Sequence, residues 1–202
     1  MFVSMLLPKS YFQNQDVLFL AKDLLGKVLI TNIEGHMCSG IIVETEAYRA
    51  PDDKACHAYN NRKTERTKTM FLDGGHAYIY LCYGMHHLLN VVTATEGNAQ
   101  AVLIRAIEPL DGIEQMKIRR KTPTFNLSLT KGPGNLTKAF GIDKRLNETK
   151  FYEAKSAIQI YDKNKHYSLE QIAISKRIGV DYAEECAHWL WRYYVKENPY
   201  VS

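Results

Sequence analysis

Two glutamates and a tyrosine follow an apolar run in the segment IIVETEAYRAPDDKACH at residues 41–57. Side chains alternate across a β-strand, so Glu44, Glu46 and Tyr48 should share one face, with Ile42 beside them. A carboxylate next to an aromatic ring, where a strand runs into a loop, can border a cleft and act as a general base. The alternative, which the strand pattern alone favours, is a solvated face whose glutamates pair with basic residues of the next strand.

A second segment, HAYIYLCYGMHHLLNVVTA at residues 76–94, adds three tyrosines in a hairpin pattern. Its arms are rich in tyrosine and valine, which predicts two strands with a tip at residues 83–85. Tyr78 and Tyr80 should lie on one face, and we expect Tyr78 to be a packing residue. Tyr83 lies at the predicted tip, where its side chain would not pack in a hydrophobic core. An exposed aromatic side chain at that place is suited to insertion between stacked bases.

The loop between these segments, NNRKTERTKTM at residues 60–70, carries four cations against the single acidic residue Glu65. Beside an aromatic cleft such a loop can clamp the phosphates of a nucleic acid, although an ordinary solvated loop is the commoner case. The basic run at residues 117–121 is either a further phosphate contact or a solvated helix end. The four cations of the loop are Arg62, Lys63, Arg66 and Lys68.

Local patterns predict the elements that would position these side chains. A helix is expected over residues 15–25, with Asn14 as its N-cap and Gly26 just past its end. Alternation predicts a first hairpin before the cleft and a further strand after the second hairpin. The predicted strands are residues 27–32 and 39–48, joined at Glu34-Gly35, and residues 101–107, while residues 49–70 form an extended loop.

The second half of the chain is less regular. Asp111 and Glu114 predict a capping box for a helix that ends in the basic run at 117–121. A shorter helix should begin at Gly132-Pro133-Gly134 and stop at Gly141. Two further segments complete the prediction: an irregular charged excursion at 143–168, and an aromatic tail that closes the core with Trp189, Trp191, Tyr193 and Tyr194.

Composition and length narrow the class of protein. The 202 residues, 46% hydrophobic and 24% charged, suit one globular domain spanning 1–202. We expect an α+β fold, in which a curved, largely antiparallel sheet is flanked by helices and bears a protruding hairpin. The net charge of +4 permits a nucleic-acid partner without requiring one.

Location and cofactors are also constrained. The apolar start MFVSMLLPKSYF lacks the features of a signal peptide, and no apolar run reaches membrane-spanning length, so we expect a cytoplasmic protein. The four cysteines are scattered without a CxxC pair, which favours reduced thiols. Adjacent Cys56 and His57 are an unusual spacing for zinc ligands, so we expect no metal and no cofactor.

Six motifs, in order, resemble those of the alkyladenine (3-methyladenine) DNA glycosylase family. The resemblance runs from about residue 5 to residue 201 and implies that the DNA-inserting element is the second hairpin. The motifs are VETEAY with PDD and a following histidine, R-x3-R-x3-MF, YIY-x2-YGM-x4-N, LIRAIEPLDG, LTKGPGNLTKAFGI and RYYVKENPYVS.

The resemblance implies a role for each matching position. Glu46 resembles the general base that deprotonates the attacking water, and Arg105 a residue beside it that holds the water and the phosphate of the flipped nucleotide. Tyr83 resembles the wedge that fills the vacated stack. The implied walls of the base pocket are Tyr48, His57 and Tyr80, its floor is Asn90, which hinders guanine, and the implied DNA-backbone contacts are Arg62, Arg66, Lys68 and Met70.

The implied activity is that of a monofunctional DNA glycosylase of base excision repair. It would act as a monomer on duplex DNA, remove alkylated or deaminated purines and leave an abasic site, in association with the nucleoid if the protein is bacterial. His86-His87 and Arg49-Ala50 depart from the family pattern, which leaves the range of lesions open. Three rival interpretations are a non-catalytic nucleic-acid-binding module, a helix–hairpin–helix glycosylase based on GPGNLTKAFGI, and a ribonucleoside hydrolase.

Overall fold

The computed structural model describes residues 5–202, and its strands are joined in one antiparallel sheet. The first four residues of the apolar start lie outside the described residues. The strands are β1 (Met5–Leu6), β2 (Val28–Ile33), β3 (His36–Arg49), β4 (Ala77–Cys82), β5 (His86–Val92), β6 (Gln100–Pro109), β7 (Ile158–Asp162), β8 (Ile172–Ser175) and β9 (Arg192–Val195). The helices are α1 (Lys9–Phe12), α2 (Val17–Asp23), α3 (Ile113–Arg120) and α4 (Pro133–Phe140).

The order across the sheet is β1-β7-β2-β3-β6-β5-β4, and β9 joins it by pairing with both β3 and β8. The sheet is not closed into a barrel within residues 5–202, and the helices flank it. This arrangement confirms the predicted α+β class with a largely antiparallel sheet. None of the helices in this part of the chain is long and apolar enough to cross a membrane.

The strand that carries the candidate glutamates, β3, exchanges partners along its length. Its first half pairs with β2 and β6, whereas Glu44–Glu46 lie between β6 and β9. The register with β6 shifts on both sides of Glu44, which marks a β-bulge. Thr45 faces α2, where its hydroxyl donates to the Ala21 carbonyl at 2.6 Å. Because the bulge breaks the alternation, Ile42 packs in the main core, and its predicted place beside the glutamates is wrong.

The helix before this strand begins later than predicted. The Asp16 carboxylate accepts the N–H groups of Leu18 and Phe19, both at 2.9 Å, so Asp16 is the N-cap of α2. The prediction of Asn14 was wrong because its side chain instead accepts the Asp16 N–H at 2.8 Å. Gly26 lies past the end of the helix with a φ of +93°, as expected for a glycine in that place.

The capping box predicted for α3 is absent. Gly112, with a φ of +79°, is the N-cap, while Asp111 turns away and accepts the Ser39 hydroxyl at 2.6 Å. Glu114 pairs with Lys117 within the helix at 2.8 Å. Both carboxylates therefore have other partners, and the backbone enters the helix through a left-handed glycine. The helix itself and α4, with its starting proline and its closing glycine, are confirmed.

The largest correction concerns residues 143–168, which were expected to be irregular. They contain β7, which pairs with both β1 and β2, and its Ile158 and Ile160 are fully buried.

Two other predicted segments can be compared with the structure. The predicted loop at 49–70 is confirmed, with short 3₁₀ turns within it. Of the aromatic tail, Tyr193 is buried in the main core as part of β9.

Candidate active site

A cavity of about 620 Å³ lies between the second hairpin, the loop that follows β3 and the segment before residues 181–188. Its volume is within the range of small-molecule sites. The hairpin is formed as predicted, with β4 and β5 paired up to Cys82 and His86 around the tip. Among the residues that line the cavity are Tyr48, His57, Tyr80, Tyr83, Asn90, Arg105, Ile178 and Tyr182.

Glu46 lies behind the wall of this cavity and is fully buried. Its Oε1 accepts the Ile178 N–H at 2.8 Å and lies 3.3 Å from Arg105 Nη1. Its Oε2 accepts the Tyr48 hydroxyl at 2.7 Å. All three donors belong to residues that line the cavity. The carboxylate is therefore fixed in one orientation, and Oε2 keeps a lone pair for a further donor.

Glu44 holds the arginine that Glu46 shares. Arg105 Nε donates to Glu44 Oε1 at 2.9 Å, and Arg192 Nε reaches the same oxygen at 2.7 Å. The Ser202 N–H donates to the other oxygen at 2.7 Å. Burial alone would lower the pKa of Arg105, but Glu46 and Glu44 hold it above its ordinary value. Both glutamates are fully buried, so the interpretation of a solvated strand face is wrong, although a basic residue of the next strand does pair with them.

Aromatic rings form the sides of the cavity. His57 and Tyr80 meet edge to face, with ring centres 4.5 Å apart and planes at 77°. Tyr80 also lies beside Tyr78, with ring centres 5.5 Å apart. Burial and the Glu46 carboxylate raise the pKa of Tyr48 well above its ordinary value, so its phenol stays a hydrogen-bond donor at neutral pH. The structure thus brings together the three predicted wall residues.

The hydrogen bonds of His57 define its protonation. Its Nε2 lies 3.2 Å from an Arg66 nitrogen, which can only donate, so Nε2 must accept. Its Nδ1 lies 2.9 Å from the Tyr78 hydroxyl and carries the proton of the neutral ring. Burial, with the charge of Arg66, lowers the pKa of His57 to about 4. A ring that is neutral at neutral pH is poorly suited to be a general acid. Tyr78 is buried as predicted, and it also orients His57.

Asn90 lies between β4 and β6, where its Nδ2 donates to the Tyr78 carbonyl at 3.1 Å. This bond fixes the amide of a side chain that borders the cavity and is only 4% exposed.

The tip of the second hairpin is exposed to solvent, with Tyr83 84% exposed and Met85 72% exposed. Tyr83 has a φ of +50°, which is uncommon for a bulky residue, and Gly84 continues the turn at +70°. The hairpin thus presents its tyrosine to solvent at the mouth of the cavity.

The basic loop reaches the cavity at Arg66, which is one of its lining residues. Arg62, Arg66 and Lys68 are exposed, and the Arg66 guanidinium lies 5.4 Å from the centre of the Tyr80 ring. Lys68 is paired with Glu65 at 2.7 Å. Met70 is only 2% exposed and lines the inner part of the cavity, so its side chain is not available to contact a phosphate backbone.

Comparison with known proteins identifies the family. A family model described as methylpurine-DNA glycosylase (MPG) matches residues 11–199. The chain is 46% identical over 201 residues to a Bacillus cereus (strain G9842) protein named "Putative 3-methyladenine DNA glycosylase", which covers 96% of this chain and 98% of that protein. A Bacillus anthracis (strain A0248) protein of the same name is 45% identical with the same coverage. The chain belongs to the methylpurine-DNA glycosylase family.

As a member of this family, the glycosylase is an enzyme of DNA repair that hydrolyses the N-glycosidic bond of a base in DNA. The family resemblance noted in the sequence is confirmed. Enzymes of this kind take the target nucleotide out of the base stack before they act on it. A cavity whose aromatic walls open beside an exposed hairpin suits that requirement.

Several residues that complete the site of the glycosylase could not be predicted from local patterns in the sequence. Ile178 donates to Glu46, Arg177 contacts the Tyr48 ring, and the 67% exposed Tyr182 borders the cavity. They follow a charged stretch that has no obvious pattern, about 130 residues after Glu46. Only the tertiary structure brings them to the glutamate.

Proposed function

We propose that the glycosylase removes alkylated or deaminated purines from duplex DNA and that Glu46 activates the attacking water. The expected bases are 3-methyladenine, 7-methylguanine, hypoxanthine and ethenoadenine. The observation that carries the proposal is the Glu46 carboxylate, held directly behind the wall of an aromatic cavity by three residues that line it, Tyr48, Arg105 and Ile178. The names of the relatives, which mention 3-methyladenine, support the choice of alkylated purines.

Stacking supplies the free energy for taking the base out of the duplex. Extrusion costs a few kcal/mol, and less for a damaged or mispaired base. Each base–aromatic contact contributes about 1–3 kcal/mol, so Tyr48, His57 and Tyr80 together can offset that cost. Tyr83, exposed at the hairpin tip, fills the vacated stack and slows the return of the base.

The reaction is a hydrolysis. The N-glycosidic bond breaks with its electron pair passing to the purine, and the C1′ atom of the deoxyribose becomes oxocarbenium-like. Glu46 Oε2 takes a proton from water as the water oxygen bonds to C1′, leaving an abasic site. A general base contributes about 10²–10⁴-fold, so the damaged purine must itself be a good leaving group.

The absence of a lysine from the cavity lining supports a monofunctional reaction. Among the described residues that border the cavity, the basic side chains are arginines and histidines. A Schiff base at C1′ requires a primary amine, so we propose that strand cleavage is not part of the activity.

Discrimination against normal guanine is proposed for Asn90. Its amide is fixed by the bond to the Tyr78 carbonyl and hinders the exocyclic amine of guanine.

Contacts with the phosphate backbone are proposed for the exposed Arg62, Arg66 and Lys68. Arg66 also bonds His57, so it connects the backbone contact to the base cavity. Met70 stays a proposed contact, and because its side chain is buried, its main chain would have to make it. The enzyme is proposed to act as a monomer, since one chain contains the whole cavity.

The test compares wild type with Glu46→Gln on end-labelled duplexes that carry hypoxanthine or ethenoadenine. Abasic sites are revealed by hot alkali, and binding of both proteins to the same duplexes is measured in parallel. We expect alkali-dependent cleavage by wild type and its loss in Glu46→Gln, with binding retained. Activity that survives the substitution would remove Glu46 from the mechanism. Binding by wild type without release of these bases, or of 3-methyladenine and 7-methylguanine, would favour a non-catalytic module.

A further inference from the structure

A buried guanidinium lies directly behind the wall of the base cavity. Arg177 binds Asp53 through both terminal nitrogens, at 2.5 and 2.8 Å, and both side chains are fully buried. The guanidinium also donates to the Ala47 carbonyl at 2.9 Å and to the Cys186 carbonyl at 3.1 Å. One side chain thus joins β3, the loop that follows it and the segment Asp181–His188.

Arg177 also contacts two aromatic rings. Its guanidinium carbon lies 4.8 Å from the centre of the Tyr48 ring and 5.2 Å from that of Trp191. Tyr48 lines the cavity and Arg177 does not, so the cation supports this ring from outside the cavity. A desolvated cation–π contact of this kind is stronger than one at the surface.

The neighbours of the ion pair in sequence reach the proposed reacting groups. Ile178, which follows Arg177, donates its N–H to Glu46 Oε1 at 2.8 Å. On the other side, Asp53 Oδ1 accepts the Ala55 N–H at 3.0 Å, in the turn that leads to His57. The ion pair therefore fixes two backbone segments that converge on the cavity.

We propose that Arg177 is a positioning residue for base excision, holding the Ile178 N–H on the Glu46 carboxylate and the Tyr48 ring in the cavity wall. This inference rests on the proposed role of Glu46. Arg177 acts through Ile178 and Tyr48. A need for stability alone does not explain the residue, because well-packed apolar side chains often replace a buried ion pair without loss. The planar fork of arginine does explain it, since several acceptors are bound in one fixed geometry.

The proposal predicts a change in the pH dependence of catalysis. When the Ile178 donor moves away, the ionised base loses one of its hydrogen bonds, so the acid limb of the pH–rate profile moves to higher pH. A purely structural role would lower the amount of active enzyme without moving that limb. The titratable or charged groups that face Glu46, directly or through Glu44, are Tyr48 and Glu44 on β3, Arg105 on β6, Arg192 on β9, and Arg177 itself.

The experiment uses Arg177→Lys, which keeps a positive charge but has only three N–H donors for the four hydrogen bonds that Arg177 makes. Single-turnover release of hypoxanthine is measured from pH 5 to pH 9 at several enzyme concentrations. Hydrogen bonds to charged groups are stronger than those between neutral groups, so we expect the saturated rate to fall about tenfold or more. The acid limb should move to higher pH, while the half-saturating enzyme concentration changes less than about threefold.

A matched control is available beside the site. Arg49 forms a similar pair with Asp52, at 3.2 and 2.7 Å, and lies 5.3 Å from the Trp191 ring, but it is partly exposed. Arg49→Lys should leave both the rate and the pH profile unchanged. If Arg177→Lys does not fold, the neutral pair Asp53→Asn with Arg177→Gln replaces it, because that pair leaves no uncompensated buried charge.

The outcomes separate this inference from the proposed function. If Glu46→Gln is inactive while the Arg177 variant behaves like Arg49→Lys, Arg177 has no positioning role and the base assignment stands. A lower rate with an unmoved acid limb, in proportion to the folded fraction, also overturns the inference. If Glu46→Gln remains active, both the base assignment and this inference fail.

Discussion

The Tyr48 phenol donates a 2.7 Å hydrogen bond to Glu46, two residues earlier on the same strand. Strand alternation places the two side chains on one face, and the bond joins the proposed base to the wall on which the purine stacks. We therefore expect Tyr48→Phe to keep the stacking surface and to lower the rate of base release, about tenfold for one lost donor to a carboxylate. Single-turnover kinetics and duplex binding, measured on the same lesion, will separate the two effects.

The control for this substitution is Tyr182→Phe. The Tyr182 ring also borders the cavity, but its hydroxyl makes only a 3.4 Å contact with the Ala55 carbonyl. Its rate should stay near that of wild type. Equal losses in the two variants would show that a hydroxyl at the cavity, and not the bond to Glu46, is what matters.

The protonation of His57 makes stability depend on pH. Its folded pKa of about 4 lies below the value of about 6.5 for an unfolded histidine. Between these values the unfolded chain binds a proton that the folded chain does not, so lowering the pH favours unfolding. His57 should thus reduce the free energy of unfolding by up to about 1.4 kcal/mol per pH unit across that window. Urea unfolding from pH 7 to pH 4 should show a shallower slope in His57→Gln.

The exposed His36, the first residue of β3, provides the comparison for this measurement. His36→Gln should retain the slope of wild type. A His57→Gln protein with an unchanged slope would mean that the folded protein accepts a proton on His57 readily. In that case the tautomer assigned from its contacts with Tyr78 and Arg66 would be wrong.

Tyr83 should matter for catalysis and not for folding. Because it is 84% exposed, Tyr83→Ala should leave the melting temperature nearly unchanged. Loss of one aromatic stack costs about 1–3 kcal/mol, so base release should slow by roughly tenfold or more. Met85→Ala, at the same tip and 72% exposed, tests whether bulk alone is sufficient there. Similar losses in both variants would argue against a specific wedge.

The salt dependence of binding can test the basic loop. Each phosphate neutralised by a cation contributes about 0.9 to the slope of log affinity against log salt. Arg62→Ala should therefore weaken duplex binding and lower that slope by about 1. Lys155 is also exposed, but it lies in the loop before β7, a strand that β2, β3 and β6 separate from the hairpin in the order of the sheet. Lys155→Ala should leave the slope unchanged, and an equal drop in both variants would indicate only a general charge effect.

Local patterns in the sequence were sufficient to predict much of this site. Alternation placed Glu46 and Tyr48 on one face, and the tyrosine-rich hairpin and its tip were confirmed. Local patterns failed where a distant partner decides the structure. The bulge at Glu44 depends on how β6 and β9 pair with β3. Asp111 does not cap α3 because its carboxylate accepts a hydrogen bond from the distant Ser39.

The elements that were missed share this cause. The strand β7 is short and follows a charged stretch. It is stabilised by pairing with β1 on one side and β2 on the other, and both partners are distant in the sequence. Arg177 meets Asp53 across 124 positions of the chain, a separation over which no periodicity in the sequence could connect them. The motif that contains Asp53 was recognised, but its partner was not.

The buried charges behind the cavity balance one another. Three carboxylates, those of Glu44, Glu46 and Asp53, face three guanidiniums, those of Arg105, Arg177 and Arg192. With a formal sum of zero, these six side chains add no net charge beside the bound base. Under the proposed function, shape and ring stacking must then select the base, so that methylated cations and uncharged deaminated purines can share one cavity.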